Sequence, residues 1–279
     1  MKKTILWVIV LLFFTKAIAQ DTNSTIKYTS SNTGKMYIYW GGNRESYSKS
    51  DIHFKGNDYD FTLYDVTAHD KPVGWHINYI NPTKMTIPQT NFRMGYFITD
   101  HYNISIGVDH MKYVMFQDRI VNSSGYYPNP GSYNNELLPN NQILLTKEFL
   151  KFEHTDGLNY INTEIARVDD VSQFIGLPNT DKVQINLTEG LGTGILFPRT
   201  DATLLGKERH DDFHVSGYGV SAKVGLNITF YKHFFIQTEL KGGYINMPDI
   251  RTTNTSADSA SQQLLFFQKI IAFGGIFKI

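Results

Sequence analysis

His210, Asp212 and His214 stand at spacings of two, so in an extended segment they share one face and offer three ligands of the kind that hold zinc. Asp109-His110 and His154-Thr155-Asp156 carry the residue types of an acid and base serving a nucleophile, although geometry and not spacing decides such a constellation. Each has a plainer reading. The first set borders a polar segment and suits a solvated surface, and His154 suits the cap of a tight turn at Asp156-Gly157. Lys223, Glu239 and Lys241 lie on one face of two alternating runs, as Arg93 and Asp109 do in an earlier pair, and read as ion pairs in a narrow interior. Gly41-Gly42-Asn43 and Gly190-Leu191-Gly192-Thr193-Gly194 are not phosphate cradles, because no helix follows either; they read as turn and interior glycines.

The elements that position these groups are organised around His214 to Tyr244. From Gly217 to Phe230 the even positions are Tyr218, Val220, Ala222, Val224, Leu226, Ile228 and Phe230, and the odd ones are small or polar. The period is two, so one face of a strand is apolar throughout. At ~3.3 Å per residue the run spans about 46 Å, longer than the usual strand of a soluble domain. After Tyr231-Lys232 the pattern resumes with Phe234, Ile236, Leu240 and Tyr244 on the apolar side, weakened only at Thr238 and Gly242. The other face is rich in glycine and serine, which suits a crowded interior. Apolar outside and small or polar inside is the arrangement of an antiparallel up-and-down transmembrane β-barrel, an all-β fold. A soluble β-sandwich or lipocalin-like barrel is the competing architecture.

Residues 1–19 are excluded from the fold. Lys2 and Lys3, the apolar run Ile5 to Phe14, and Ala17-Ile18-Ala19 before Gln20 form a secretory signal peptide, too short in its apolar part to span a membrane. Residues 20–34 read as a flexible periplasmic lead-in and 35–279 as the barrel. The chain has no cysteine, which excludes disulfides, thiolate metal sites and lipid attachment after Ala19. With 26 basic and 26 acidic residues, nothing points to nucleic acid. Aromatics at 14% suit girdles at two membrane interfaces.

About ten strands are predicted, within a range of eight to twelve. They lie at Met36 to Trp40, Tyr59 to Leu63, Phe92 to Thr99, Ile104 to Asp109, Ile143 to His154, Leu158 to Val168, Val183 to Phe197, the organising pair, and Leu265 to Ile279. External loops are expected at 43–57, 117–142, 200–212 and 247–262, with Asp100 to Asn103 and Tyr231-Lys232 as periplasmic turns. The segment Trp75 to Ile80, between Pro72 and Pro82, is undecided. A hairpin at Asp156-Gly157 conflicts in direction with the loops on either side, so one strand is missing or one is misassigned. Glu189 is a charged misfit on an apolar face. A turn at Phe230 to Lys232 would set Lys223 opposite Glu239.

Tyr39-Trp40-Gly41-Gly42-Asn43-Arg44, running on to His53-Phe54-Lys55-Gly56-Asn57-Asp58-Tyr59-Asp60-Phe61, and Glu153-His154-Thr155-Asp156-Gly157-Leu158-Asn159-Tyr160 resemble a family of uncharacterised outer-membrane β-barrel proteins of the Bacteroidota. That resemblance implies a fold and a location and carries no active residues. The chain's end, with Gly274, Phe277 and Ile279, resembles in part the signal read by the barrel-insertion machinery. Asp258-Ser259-Ala260 resembles the Asp-Ser/Thr-small acceptor for O-glycosylation in that bacterial group.

These readings imply an integral outer-membrane protein with a structural or surface-binding role, no cofactor, no metal and no catalytic residue assigned. Its partners are outer-membrane lipid and an unidentified external ligand. A barrel-embedded lipid-modifying enzyme of the lipid A deacylase or phospholipase type, and a small-solute channel, are the alternatives. N-terminal sequencing of the membrane-extracted protein is expected to begin at Gln20; a chain beginning at Met1 would contradict the leader.

Overall fold

The computed structural model describes residues 31–72, 89–133, 137–177 and 180–278. Among them run, in chain order, β1 (Lys35–Tyr47), β2 (Ser50–Lys55), β3 (Asp60–Val66), β4 (Ala68–His69), β5 (Thr90–Phe97), β6 (Tyr102–Met115), β7 (Ile120–Tyr126) and β8 (Leu137–Leu138). The second half adds β9 (Gln142–Leu144), β10 (Leu150–Asp170), β11 (Val183–Leu196), β12 (Arg199–Leu204), β13 (His210–Phe213), β14 (Gly217–Phe230), β15 (Phe234–Arg251) and β16 (Ser259–Lys278).

A ring of 8 antiparallel strands closes in the order β1, β5, β6, β10, β11, β14, β15, β16, with β16 paired back onto β1 from Lys278 opposite Lys35 to Phe266 opposite Tyr47. Closure leaves the ring no free edge. Short connections at 98–101 and 231–233 lie at one end with 171–182; the connections 48–89, 116–149, 197–216 and 252–258 lie at the other. By the rule that barrel turns are short on the periplasmic side and loops long outside, the first end is periplasmic. Tyr231 and Lys232 both take positive φ, 50° and 66°, in the left-handed conformation that hairpin turns use. At the same end Ser31 Oγ and the Thr33 backbone N–H donate to Asp100 at 2.6 and 2.9 Å.

Ten predicted strands become eight in the ring for two reasons. The strand predicted at Tyr59 to Leu63 exists from Asp60 on, as the start of β3, but stands outside the ring. The predicted hairpin at Thr155-Asp156-Gly157 does not exist: β10 runs unbroken through it, with its register against β6 shifting between His154 and Leu158. Gly157 takes φ +131°, and that conformation serves a bulge as well as a turn. With one long strand in place of two, the conflict of direction disappears.

Other boundaries also move. Gly41-Gly42 do not end the first strand, and a Cβ on Gly41 would lie 2.2 Å from the Ile271 carbonyl of β16, so glycine there permits close pairing. Segments 43–57, 117–142 and 200–212 are not plain loops. They hold the end of β1 with β2, all of β7 and β8, and most of β12 and β13, while β15 and β16 leave only 252–258 between them. Their charge hid a period of two, as in Ile52 and Phe54 alternating with Asp51, His53 and Lys55. The signal peptide, the lead-in up to residue 30, Trp75 to Ile80 and the terminal Ile279 lie outside the described residues.

The ring is apolar outward. Val224 is 45% exposed and its neighbour Lys223 is 8% exposed, the same inversion recurs at Leu240 between Glu239 and Lys241, and Leu191, Ile236, Ile271 and Phe273 are likewise exposed. A band of this extent far exceeds the apolar patch a soluble protein presents to water, and it belongs in a bilayer. Trp40 and Phe273 meet edge to face on it, with centroids 5.3 Å apart.

Beyond the band the long connections fold. The strands β2, β3, β7, β9 and β8 form a sheet growing from Ser259–Gln262 of β16, and β12 with β13 grows from Leu150–Glu153 of β10. Between them lies an apolar core that includes Ile52, Phe54, Phe61, Leu63, Phe149 and Phe152. Phe54 stacks on Phe61 at 5.2 Å and meets Phe152 edge-on at 5.7 Å. This head closes the outer mouth of the barrel.

Gly157→Ala would force a side chain into the bulge's positive φ, 2.7 Å from Asn159 and His110 atoms. It is expected to lower stability by roughly 1–3 kcal/mol, read as a lower urea midpoint in vesicles; an unchanged midpoint would contradict the bulge.

Candidate functional site

The inward faces of the ring meet in a buried ion cluster. Glu164 of β10 is reached by Arg93 of β5 (Nη2 to Oε1, 3.0 Å), Lys223 of β14 (Nζ to Oε2, 2.8 Å) and Lys241 of β15 (Nζ to Oε1, 2.7 Å). Lys223 also meets Glu239 at 2.8 Å, and Lys241 meets Asp109 at 2.7 Å. Arg93, Lys223 and Lys241 thus balance Asp109, Glu164 and Glu239. Arg93 donates in addition to Tyr39 Oη (3.2 Å), Ser105 Oγ (3.1 Å) and Asn162 Oδ1 (2.6 Å), which satisfies its planar fork of donors. Asn162 Nδ2 passes the network on to Asp109 at 3.1 Å. Burying charges costs several kcal/mol per ion unless partners are placed this completely.

Sequence spacing identified Lys223, Glu239, Lys241, Arg93 and Asp109 as inward, and all five are in the cluster. It missed Glu164, which shares its parity with Asn162 and Ala166 on β10. The predicted register was also two residues off. Three residues, 231–233, form the loop, so Phe230 pairs with Phe234, Lys223 faces Lys241, and the Lys223–Glu239 pair is diagonal.

The cluster separates two parts of the lumen. On the head side, Asn43 Nδ2 donates to Asn91 Oδ1 at 2.7 Å, Gln268 Nε2 to Glu45 Oε1 at 3.1 Å, and Gln89 bridges Glu45 and Asp70. On the turn side lies a cavity of about 40 Å³ lined by Tyr37, Asn103, Asn186, Asn227 and Gln237 among others, room for a few waters. An eight-stranded ring has an interior just wide enough for its own side chains, and here they fill it.

The other candidate groups do not form the constellations their spacing suggests, although His154 and His210 both meet Thr200. His210 is buried, with Nδ1 2.9 Å from the Thr200 carbonyl oxygen; Asp212 is exposed; and His214 Nε2 lies 2.9 Å from Asp249 Oδ2. Among the described residues no group of three His, Cys, Asp or Glu side chains is arranged to hold a metal. Asp109 belongs to the lumen, whereas His110 lies by the bulge with Nδ1 2.7 Å from Asn159 Oδ1. His154 is fully buried in the head, 3.0 Å from Thr200 Oγ1, and Asp156 instead pairs with Arg199 at 3.2 Å near the surface. Since the Asp156-Gly157 turn does not exist, His154 caps nothing. Asp258 is buried and accepts from Tyr59 Oη and Thr253 Oγ1, while Ser259 begins β16 half-buried. Gly190, Gly192 and Gly194 lie within β11, and the outward Glu189 faces Arg167 of β10 across the pair.

No protein-family model matches the chain, and no curated protein matches it. Among solved structures it is similar to the outer membrane protein OprG of Pseudomonas aeruginosa, at 10% identity over 89% of this chain and 98% of that one, with a TM-score of 0.40. It is also similar to Ail, the attachment invasion locus protein of Yersinia pestis, at 10% identity, 88% and 99% coverage and a TM-score of 0.34. Neisserial surface protein A gives 9% identity, 86% and 96% coverage and 0.33. At these values the likeness adds nothing to what the ring itself establishes. No described helix is long and apolar enough to cross a membrane. The closed ring with its apolar band is an outer-membrane type of barrel, and the outer membrane is the chain's location.

Burial without a charged partner holds the His154 imidazole neutral, its pKa pushed down from 6.5 to about 3. Between those values the unfolded chain binds the extra proton, so this contribution to stability is full above 6.5 and is lost as pH falls toward 3. Wild type is expected to lose about 3 kcal/mol more than His154→Leu between pH ~7 and ~4, measured by urea unfolding. Equal acid sensitivity of the two proteins would contradict it.

Proposed function

We propose that this chain is a sealed membrane anchor that displays a folded head for binding outside the cell. One observation carries the reading: residues from all three long external connections converge on a single apolar core above the mouth, with paired strands of their own. Polar loops that served only to link strands would gain nothing from such a core, whereas a rigid head presents a surface of fixed shape at low ordering cost. The exposed Tyr64, Tyr126 and Ile120 on β3 and β7 give that surface aromatic and aliphatic contacts. The filled lumen supports an anchor over a channel. Export by the leader ending at Ala19, insertion through the β16 end, and membership of the Bacteroidota family resembled by Tyr39 to Phe61 and Glu153 to Tyr160 complete the reading.

Cells producing the protein are to be probed on arrays of glycans and extracellular proteins beside cells in which 50–66 and 117–142 are replaced by short turns, with heat-modifiable mobility confirming that both barrels fold. Binding that requires the head is expected, and planar bilayers holding the wild type should stay electrically silent. Equal binding by both cell types would overturn the head's role, and stepwise conductance would favour a channel.

A further inference from the structure

The lipid-facing wall carries a charge pair that its surroundings do not explain. Arg44 of β1 and Lys269 of β16 are direct cross-strand partners, and both are exposed on the outward face. Lys269 stands between Phe267 and Ile271, each open to the bilayer, and Arg44 two residues beyond Gly42. Like charges directly opposite each other repel, and cations on the lipid face of a barrel are unfavourable in proportion to their depth. Among the described residues Arg44 donates only to the neighbouring Asn43 carbonyl oxygen, at 2.7 Å, and no carboxylate lies within ion-pair distance of either side chain. The outward Arg167, near the other margin, is by contrast held by Asp169 at 2.7 Å.

Beside Lys269 the wall is hollowed. A concavity of about 480 Å³ is lined by Leu187, Val224, Leu226, Leu240 and Ile271 together with Lys269. Its floor is low where Thr238, the small residue in the apolar set of β15, sits between Leu226 and Ile271 in register. An apolar groove bordered by Lys269, which has the second cation Arg44 directly across from it on the next strand, has the chemistry of a lipid whose chain lies along the wall and whose phosphate sits at the cations. Arg44 lies three residues from the head end of β1, and Lys269 opposite it stands on the head side of the middle of the outward apolar run Leu265 to Phe277, hence in the outer leaflet. Beyond Leu265 that face of β16 turns polar at Gln263 and Ser261, so long basic side chains reach the headgroup level by extending upward.

We infer that the β1–β16–β15 wall binds a phosphorylated glycolipid of the outer leaflet, its phosphate held between Arg44 and Lys269 and an acyl chain in the groove over Thr238. This site is separate from the head and does not depend on its binding role.

The full-length protein is to be reconstituted in phosphatidylcholine vesicles alone, with diphosphoryl lipid A, or with phosphatidylglycerol, and the temperature read at which the folded gel band converts to the unfolded one. Lipid A is expected to raise that temperature by several degrees in wild type and in Arg44→Lys/Lys269→Arg, and to leave Arg44→Gln/Lys269→Gln unmoved. An equal rise in the glutamine variant, or none in wild type, overturns the site. A rise with phosphatidylglycerol as large as with lipid A overturns the glycolipid assignment.

Discussion

The fold depends on Glu164. Its two oxygens draw together cations from three other strands, Arg93, Lys223 and Lys241, and in doing so fasten β10 to β5, β14 and β15 across the lumen rather than along the sheet. The outward faces supply no packing against a second layer, since lipid is as apolar as they are. What distinguishes the native ring from other arrangements of the same amphipathic strands is therefore its interior, where each charge has a partner only if the register is right. A slip of one residue would turn Lys223 and Lys241 toward the bilayer.

That constraint also explains the stacking of layers along the axis. Near the turns, Tyr37, Phe97 and Phe235 pack around a small polar cavity. The ion cluster follows, then the amides and carboxylates of Asn43, Glu45, Gln89 and Asn91, and finally the apolar core of the head. The head can bury Phe54, Phe61 and Phe152 because it stands in water, where ordinary hydrophobic packing resumes. The chain thus reverses its polarity once, at the level of Tyr160 and Phe266, whose rings meet at 6.1 Å. Below it charges and amides are inside, with a small aromatic set near the turns; above it the interior is apolar.

This reversal marks the limit of what could be read in the residues themselves. Val220, Val224 and Ile228 alternating with Ser221, Lys223 and Asn227 reveal the barrel wall, because two contrasting environments act on one strand over its whole length. Ile52 and Phe54 follow the same period but with the opposite meaning, and nothing local in Asp51-Ile52-His53-Phe54 says whether oil lies outside or inside. Gly157 shows a second limit. A positive φ after Asp156 signals a departure from a plain strand, but whether the chain reverses or only bulges is settled by β6 and β12 on either side. Register across the lumen was equally hidden: Glu164 is recognisable only once Arg93 and Lys223 are placed beside it. The histidines at 154, 210 and 214 show the converse, since residue type and spacing drew attention to groups that the fold does not assemble as their spacing suggests: His154 and His210 meet at Thr200, and His214 goes to Asp249.

The absence of cysteine from the chain makes the polarity of the wall directly measurable. Single cysteines at positions 220, 221, 223, 224, 227 and 228, each carrying a spin label in vesicles, report whether lipid-soluble oxygen or a water-soluble relaxant reaches each site. Labels at 220, 224 and 228 should respond to oxygen alone, and those at 221, 223 and 227 weakly to either. Strong relaxation of the first three by the water-soluble agent would mean that this face meets solvent, and the transmembrane barrel would have to be abandoned.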